Sequence, residues 1–403
     1  MARYKTLDDC DPKGKTLLLR ADLNVPLKEG VVGDETRIRR LAPTIEEMAK
    51  KGGKVVVLSH FGRPKGRPDP AFSLRPVLPA LERSLGGRKV SFAEDCIGEK
   101  ARLLVASLEK GQVGLLENLR FHRGEEGNDP EFAQSLAALG DLYVNDAFSA
   151  SHRAHASIAL LPRLLPAFAG RLMEEELSAL ESALETPQRP LLALVGGAKV
   201  STKLDLLANL AAKVDILAVG GAMANTLLFA EGLAVGRSLC EREMAAGARR
   251  VLALARKANC RLILPEDAVV AKELAPHAAA SEVAIEAVPA DSMILDIGGR
   301  TVARIASALA EARTLVWNGP LGAFETPPFD RGTAAVAAEI ARLSREGRLK
   351  SVAGGGDTLA AIASARLESA LSYVSTAGGA FLEWLEGREL PGLKALESVD
   401  RNH

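Results

Sequence analysis

Five arginines, Arg20, Arg37, Arg63, Arg120 and Arg153, fall in or beside polar stretches that follow short apolar runs, and His60, His122, His152 and His155 fall in the same stretches. Guanidinium forks grip phosphate and carboxylate bidentately. Any one of these arginines is ordinary on a solvated face, but five at similar places point to an anion. Asp22 and Asn24 stand among them. Either they take hydroxyl and amide donors, as a small phosphorylated hydroxy acid would offer, or Asp22 simply pairs with a neighbouring arginine.

The second half carries different chemistry. In GGAKVSTK (196–203), Lys199 follows a glycine turn and Lys203 comes four residues later. The spacing places both on one face at a helix start, where outward N–H groups and ammonium groups favour phosphate oxygens. The string is not GxxxxGK[ST], which occurs nowhere in the chain, and no GxGxxG opens a βαβ unit. In GGGDT (354–358), consecutive glycines let backbone approach a ligand. Asp357 is there either a magnesium ligand bridging nucleotide phosphates or an ordinary helix N-cap, and Thr358 offers a hydroxyl. Glu325, in WNGPLGAFE (317–325), is a candidate for ribose hydroxyls or a plain surface glutamate. His277, His403 and Trp384 receive no role.

The elements that must position these groups are strands and helices in alternation. Runs rich in valine and leucine at Thr16–Arg20, Lys54–Leu58, Gly114–Leu116 and Leu142–Val144 lead into RADLNVP, SHFGRP, ENLRFHRGEE and NDAFSASHRAHAS, and a fifth run stands at Val90–Phe92. Runs at Leu191–Val195, Ile216–Val219, Leu262–Leu264, Leu315–Trp317, Ser351–Ala353 and Tyr373–Val374 lead into GGAKVSTK, GGAMAN, PEDAVV, NGPLGAFE, GGGDT and STAGGA. This is the pattern of βαβ units with buried parallel sheets, which bind ligands where strands end. Between the halves, RLMEEELSALESALE (171–185) spaces Met173, Leu177, Leu180 and Leu184 helically, and Pro187 and Pro190 stop it. It reads as a hinge helix between two binding lobes.

At 403 residues the chain suits two α/β lobes. Lys plus Arg equals Asp plus Glu at 51 each, so no overall field draws it to nucleic acid or anionic membrane. Cys10, Cys96, Cys240 and Cys260 lack CxxC or other metal spacing, which fits a reducing cytoplasm. The charged start predicts no signal peptide, and the longest uncharged stretch, 216–230, is shorter than the about 20 residues a bilayer requires.

Taken together, RADLNVP, SHFGRP, NDAFSASHRAHAS, GGAKVSTK, WNGPLGAFE, GGGDT and STAGGAFLEWLEG resemble the motifs of phosphoglycerate kinases, in that family's order from residue 20 to 387. The resemblance implies an α/β fold of two Rossmann-like lobes with parallel sheets, joined by a central helix with a cleft between them. Residues 1–170, with the tail 388–403 packed back, would form the phosphoglycerate lobe, 171–186 the hinge helix, and 187–387 the nucleotide lobe. It implies a cytoplasmic, monomeric glycolytic enzyme binding 3-phosphoglycerate or 1,3-bisphosphoglycerate and ATP or ADP with Mg2+, and neither nucleic acid nor membrane. Carried over residue by residue, it assigns the phosphoglycerate site to Asp22, Leu23, Asn24, Arg37, His60, Phe61, Gly62, Arg63, Arg120 and Arg153. The nucleotide site falls to Gly197, Ala198, Lys199, Lys203, Asn318, Glu325, Gly355, Gly356, Asp357 and Thr358, with Asp357 on the metal. Arg37 and Lys199 match the pair facing the transferred group and are the catalytic candidates.

Three positions depart from the family's usual glycine: Ser149, Ala222 and Ala377, the last placing a methyl at an expected helix start. The implied acceptor is a carboxylate, already ionised at neutral pH, so no general base is required. A nucleotide-linked dehydrogenase lacks its fingerprint loop here. A silent relative has only Ala377 in its favour.

Overall fold

In the computed structural model, residues 4–397 are described. The first parallel sheet contains β1 (Thr16–Arg20), β2 (Lys54–Leu58), β3 (Val90–Ala93), β4 (Val113–Leu116), β5 (Leu142–Asn145) and β6 (Ala167–Ala169), in spatial order β3-β4-β2-β1-β5-β6. The second contains β7 (Leu191–Val195), β8 (Ile216–Val219), β9 (Arg261–Ile263), β13 (Thr314–Asn318), β14 (Lys350–Gly354) and β15 (Tyr373–Ser375), in order β9-β8-β7-β13-β14-β15. The strands between them, β10 (Asp267–Ala271), β11 (Ala280–Ala284) and β12 (Met293–Ile297), form a small antiparallel sheet ordered β11-β10-β12. The chain is α/β, as its strand grammar requires.

Both large sheets have apolar side chains on either face. All five residues of β7 and of β13, and the last four of β1 and of β2, are buried. Helices cover both faces of such a sheet, which is why these strands read as continuous apolar runs. In the first sheet Leu17, Leu19, Val55, Val57, Val113 and Leu115 share a core with Ile38, Leu41 and Ile45 of α1 (Thr36–Lys50). In the second, Leu192, Leu194, Leu315 and Trp317 pack with Ile305, Val336 and Ile340 from two helices.

The helix α2 (Arg171–Leu184) buries the four apolar residues its spacing marks, Met173, Leu177, Leu180 and Leu184. Its first turn is satisfied by side chains from the preceding fold: Asp146 Oδ1 accepts from Met173 N (2.9 Å) and Thr44 Oγ1 from Arg171 N (3.0 Å). The chain divides into two compact units, one through Leu177 together with the segment from Glu389, the other Ser178–Arg388. The division falls inside α2. In the first unit Gly392 N donates to Ser151 O (2.8 Å), and Leu393 is buried.

Two strand readings change. β6 lies at the sheet edge, where three residues give no periodicity to read. PEDAVV is a shorter exit than it reads, because 267–270 begin β10, although Pro265 lines the cavity described below. There Asp267 accepts from the N–H groups of Arg300 (2.8 Å) and Thr301 (2.9 Å), so its carboxylate caps the helix Gly299–Glu311. Among the described residues, no helix is long and apolar enough to cross a membrane.

Candidate functional site

In the first unit, β4, β2, β1 and β5 are consecutive neighbours, so the loops at their carboxyl ends lie side by side. Hydrogen bonds stitch those loops together. Ser59 Oγ accepts from Leu23 N (2.9 Å), Asn24 Oδ1 from Gly62 N (3.0 Å), and Asn118 grips Phe61 through Phe61 N (3.1 Å) and Phe61 O (2.7 Å). Arg120 donates to Gly62 O (2.7 Å). Leu23 and Phe61 are buried and serve by holding the backbone.

Arg37, on α1, donates to Asp22 Oδ2 (2.9 Å) and to Asn24 O (3.1 Å). Asp22 is thus a paired carboxylate. Ser149, where a glycine was the family's habit, adds its hydroxyl as a second partner to Asp22. Burial pushes the Asp22 carboxyl up, but the Arg37 guanidinium and the Ser149 hydroxyl help to outweigh it and hold the group below the usual aspartate range.

What remains is a crowd of cations. Arg20 is fully buried and Arg120 is 3% exposed. Burial, and then neighbouring Arg153, push Arg120 down to about 10. Burial and then Arg63 lower Arg153. Arg63 is exposed and makes no protein hydrogen bond or ion pair among the described residues. His60 is driven well below its ordinary range by burial and by Arg20. Cations that depress one another form a site that an anion relieves.

The other histidines separate from this group. His122 Nε2 pairs with Asp95 Oδ1 (2.7 Å) and its ring stacks on Phe132. Asp95, Cys96 and His122 have donor atoms within 4.8 Å of one another, a proximity that linear spacing cannot reveal. The Asp95–His122 bond accounts for it. His155, pushed down to about 3 by burial and by Arg120, lies behind the arginines near Glu125. His152 Nε2 takes a hydrogen bond from Arg153 Nε (3.2 Å).

In the second unit, β7, β13 and β14 are neighbours, and their exits interlock. Gly196 and Gly319 approach so closely that a Cβ on Gly196 would lie 1.9 Å from Pro320 O. Asn318 Nδ2 donates to Gly354 O (2.7 Å) and Gly319 N to Thr358 Oγ1 (2.7 Å). Gly355 has φ +101°, and a Cβ there would meet Asn318 Nδ2 at 2.5 Å.

GGAKVSTK is not a helix start. Residues 196–203 form an irregular loop, and α3 (Leu204–Lys213) begins only after Lys203. Lys199 and Lys203 therefore do not share a helix face. Gly197, at φ +126°, turns the chain away from helical geometry. Lys203 instead folds inward, donating to Gly196 O (2.8 Å) and Asn318 Oδ1 (2.8 Å), and burial pushes its ammonium down to about 8. Lys199 is exposed.

The helix α6 (Gly356–Ser364; α4 being Gly221–Ala230 and α5 Arg331–Arg345) has Gly355 as its N-cap. Asp357 is therefore no cap, and it is exposed with Gly356 beside it. Its exposed, hard carboxylate is the donor type Mg2+ takes, while the helix start and Lys203 favour the phosphates that would accompany the ion. Thr358 is fully buried, its hydroxyl committed to Gly354 O (2.8 Å) and Gly319 N, so it braces the turn. A cavity of about 400 Å3 opens next to these groups, lined by Gly197, Ala198, Ala222, Leu239, Leu321, Phe324, Glu325 and Asp357. Its walls are largely apolar, as a flat heterocycle requires, with carboxylates at the margin. Ala222 contributes a methyl to that wall. Ala377 is not at a helix start: it is buried two residues before α7 (Gly379–Leu385), with its N–H on Ser375 Oγ (3.2 Å).

Sequence reading passed over Ser157 and Glu125, which lie fully buried beneath the arginines. Both stand inside the quoted motifs, but nothing in a linear string says that they meet.

Residues 7–388 match the family model described as Phosphoglycerate kinase. The chain is 61% identical over 399 residues to the phosphoglycerate kinase of Methylorubrum populi, covering 99% of this chain and all of that one. It is 59% identical over 393 residues to that of Rhodospirillum centenum, covering 98% and 99%. Among solved structures it is similar to phosphoglycerate kinase from Coxiella burnetii (TM-score 0.91, 44% identity, 98% of each chain) and from Pyrococcus horikoshii (TM-score 0.80, 31% identity, 97% and 98%).

Proposed function

The chain belongs to the phosphoglycerate kinase family, and from that premise we propose how its two linings divide the work of the reaction. The enzyme transfers a phosphoryl group reversibly between 1,3-bisphosphoglycerate with ADP and 3-phosphoglycerate with ATP, in glycolysis and its reversal. Our reading places the phosphoglycerate on the first unit, with Arg63, Arg120 and Arg153 on its anionic groups and Asp22 and Asn24 on its hydroxyl. The observation that carries this is the set of partly buried, mutually repelling arginines, which no protein carboxylate neutralises in full.

The nucleotide is assigned to the second unit. Its base and ribose lie in the apolar cavity with Glu325 on ribose hydroxyls, and its phosphates meet Gly197, Ala198, Lys203 and the Gly355–Gly356 backbone. Asn318 acts through Lys203. Asp357 would hold Mg2+, which supplies charge neutralisation between phosphates when bound.

The acceptor carboxylate needs no base, so positioning and electrostatics carry the reaction. Arg37 and Lys199 neutralise the moving group. In-line transfer between ligands on separate units requires them to be brought together with water excluded, so the molecule compacts when both are bound. Solution scattering with both ligands tests this. The enzyme is taken to act as a cytoplasmic monomer on small molecules alone, without nucleic acid or membrane partners, and light scattering tests the monomer.

The decisive assay follows ADP formation from ATP and 3-phosphoglycerate, with and without Mg2+. Metal-dependent turnover is expected. No turnover at any metal concentration would refute the reading.

A further inference from the structure

Beneath the phosphoglycerate site lies a chain of polar groups that the reaction as described does not use. Arg20, Ser157, Glu125 and Tyr143 are each 0% exposed, and His60 is 5% exposed. Arg20 Nε donates to Ser157 Oγ (2.8 Å), one of its terminal nitrogens donates to Ala21 O, and the other lies 3.1 Å from His60 Nδ1. The Ser157 hydroxyl in turn donates to Glu125 Oε1 (2.6 Å), and Ser157 N donates to Glu125 Oε2 (3.0 Å). Tyr143 Oη donates to Ser157 O (2.8 Å) and fixes the segment from behind.

Direction along this chain follows from proton counting. A guanidinium has only donors, so His60 Nδ1 must present its lone pair to Arg20. The single ring proton then belongs on Nε2. Among the described residues Nε2 has no protein partner, so it is the nitrogen left for a ligand. A proton on Nδ1 would replace the Arg20 bond with two opposed N–H donors, and a ring protonated on both nitrogens would add a buried cation beside Arg20.

We propose that Arg20 is a positioning residue that, anchored through Ser157 to Glu125, locks His60 as the Nε2–H tautomer and makes it a neutral hydrogen-bond donor to an oxygen of the phosphoglycerate ligand. This rests on the assignment of that ligand to the first unit. His60 is neither a base nor a cation in this arrangement. Its role is to read an acceptor oxygen at a site where the arginines supply the charge. The charged groups acting on it are Arg20, Arg120, Arg153 and Asp22, and the three arginines oppose its protonation.

The test is long-range proton–nitrogen correlation NMR on the full chain labelled with 15N-histidine, with His60 assigned by its loss in His60→Gln. The expected spectrum has Nδ1 unprotonated and Nε2 protonated, unchanged from pH 5.5 to 8.5. A proton on Nδ1, or titration of His60 near the ordinary histidine value, overturns the proposal. Arg20→Met and the milder Ser157→Ala are read for Michaelis constants. Both are expected to raise KM for 3-phosphoglycerate about tenfold, the size of one hydrogen bond to a charged group, with kcat falling less and KM for ATP unchanged. Equal loss in both KM values would indicate general structural damage and contradict the role. If wild-type protein fails to turn over 3-phosphoglycerate, the ligand assignment fails. If it turns over normally with His60 in another state, only the lock fails.

Discussion

Raising the pH should weaken nucleotide binding through Lys203 while leaving the phosphoglycerate site largely intact. Its ammonium is buried and held by two neutral oxygens at 2.8 Å, and burial lowers its pKa from 10.5 to about 8. A phosphate group arriving beside it supplies the missing countercharge and restores its affinity for the proton. If binding returns the pKa to its ordinary value, the apparent dissociation constant scales as one plus the ratio of neutral to charged lysine in the free protein. That factor is close to one at pH 7 and about ten at pH 9, or about 1.4 kcal/mol. Calorimetric titration of MgADP at pH 7, 8 and 9 reads it directly. Lys203→Arg, whose charge persists across this range, is expected to remove the dependence. The same lysine influences folding with a definite sign. A base with a depressed folded pKa weakens the fold below about pH 8, and that penalty disappears as pH rises toward 10.5. Nucleotide affinity that stays flat to pH 9 in the wild type would refute the reasoning.

Arg37→Ala should lower kcat by about a hundredfold or more with little change in nucleotide affinity, as expected for a contact made in the transition state. An unchanged kcat with a higher KM for 3-phosphoglycerate would argue against that role. Ser149→Gly removes a hydroxyl from Asp22 but leaves Arg37 at 2.9 Å, so KM for 3-phosphoglycerate should change by no more than about threefold. Steady-state kinetics checks this. Asp296 is buried, accepts from Gly332 N (2.7 Å) and Ile297 N (2.9 Å), and is raised by burial from 3.8 to about 7. Its folded form holds the proton more tightly than the unfolded chain, so stability should fall as pH rises from about 4 and level off above about 7. The ceiling is on the order of 4 kcal/mol. Asp296→Asn should flatten the thermal midpoint between pH 5 and 8, and an identical profile in the variant would contradict the assignment.

Much of the architecture was legible because the physics behind it is local. Strands buried on both faces are continuous runs of valine and leucine, so β1, β2, β7 and β8 could be read to the residue. The arginine and glycine loops followed, since parallel strands deliver their exits to one edge. What could not be read depends on contacts between distant parts of the chain. Lys203 turns inward because Asn318, 115 residues away, accepts a hydrogen bond from its ammonium. Asp267 is a cap only because the helix at Gly299 starts beside it. Ser157 and Glu125 are unremarkable in sequence, and their meeting with Arg20 is a product of the fold. Thr358 was expected to meet a ligand, but its hydroxyl is spent inside the turn.

The division of labour between two separate linings, cationic on one unit and backbone-rich on the other, underlies the proposed reaction. It is tested most directly by one calorimetric experiment that titrates 3-phosphoglycerate and MgADP separately into Arg63→Ala and Asp357→Ala proteins. The expected result is a crossed pattern: Arg63→Ala loses affinity for 3-phosphoglycerate alone, and Asp357→Ala loses affinity for MgADP alone. If either substitution weakened the opposite ligand as much as its own, or neither weakened anything, the division of labour between the two units would be contradicted.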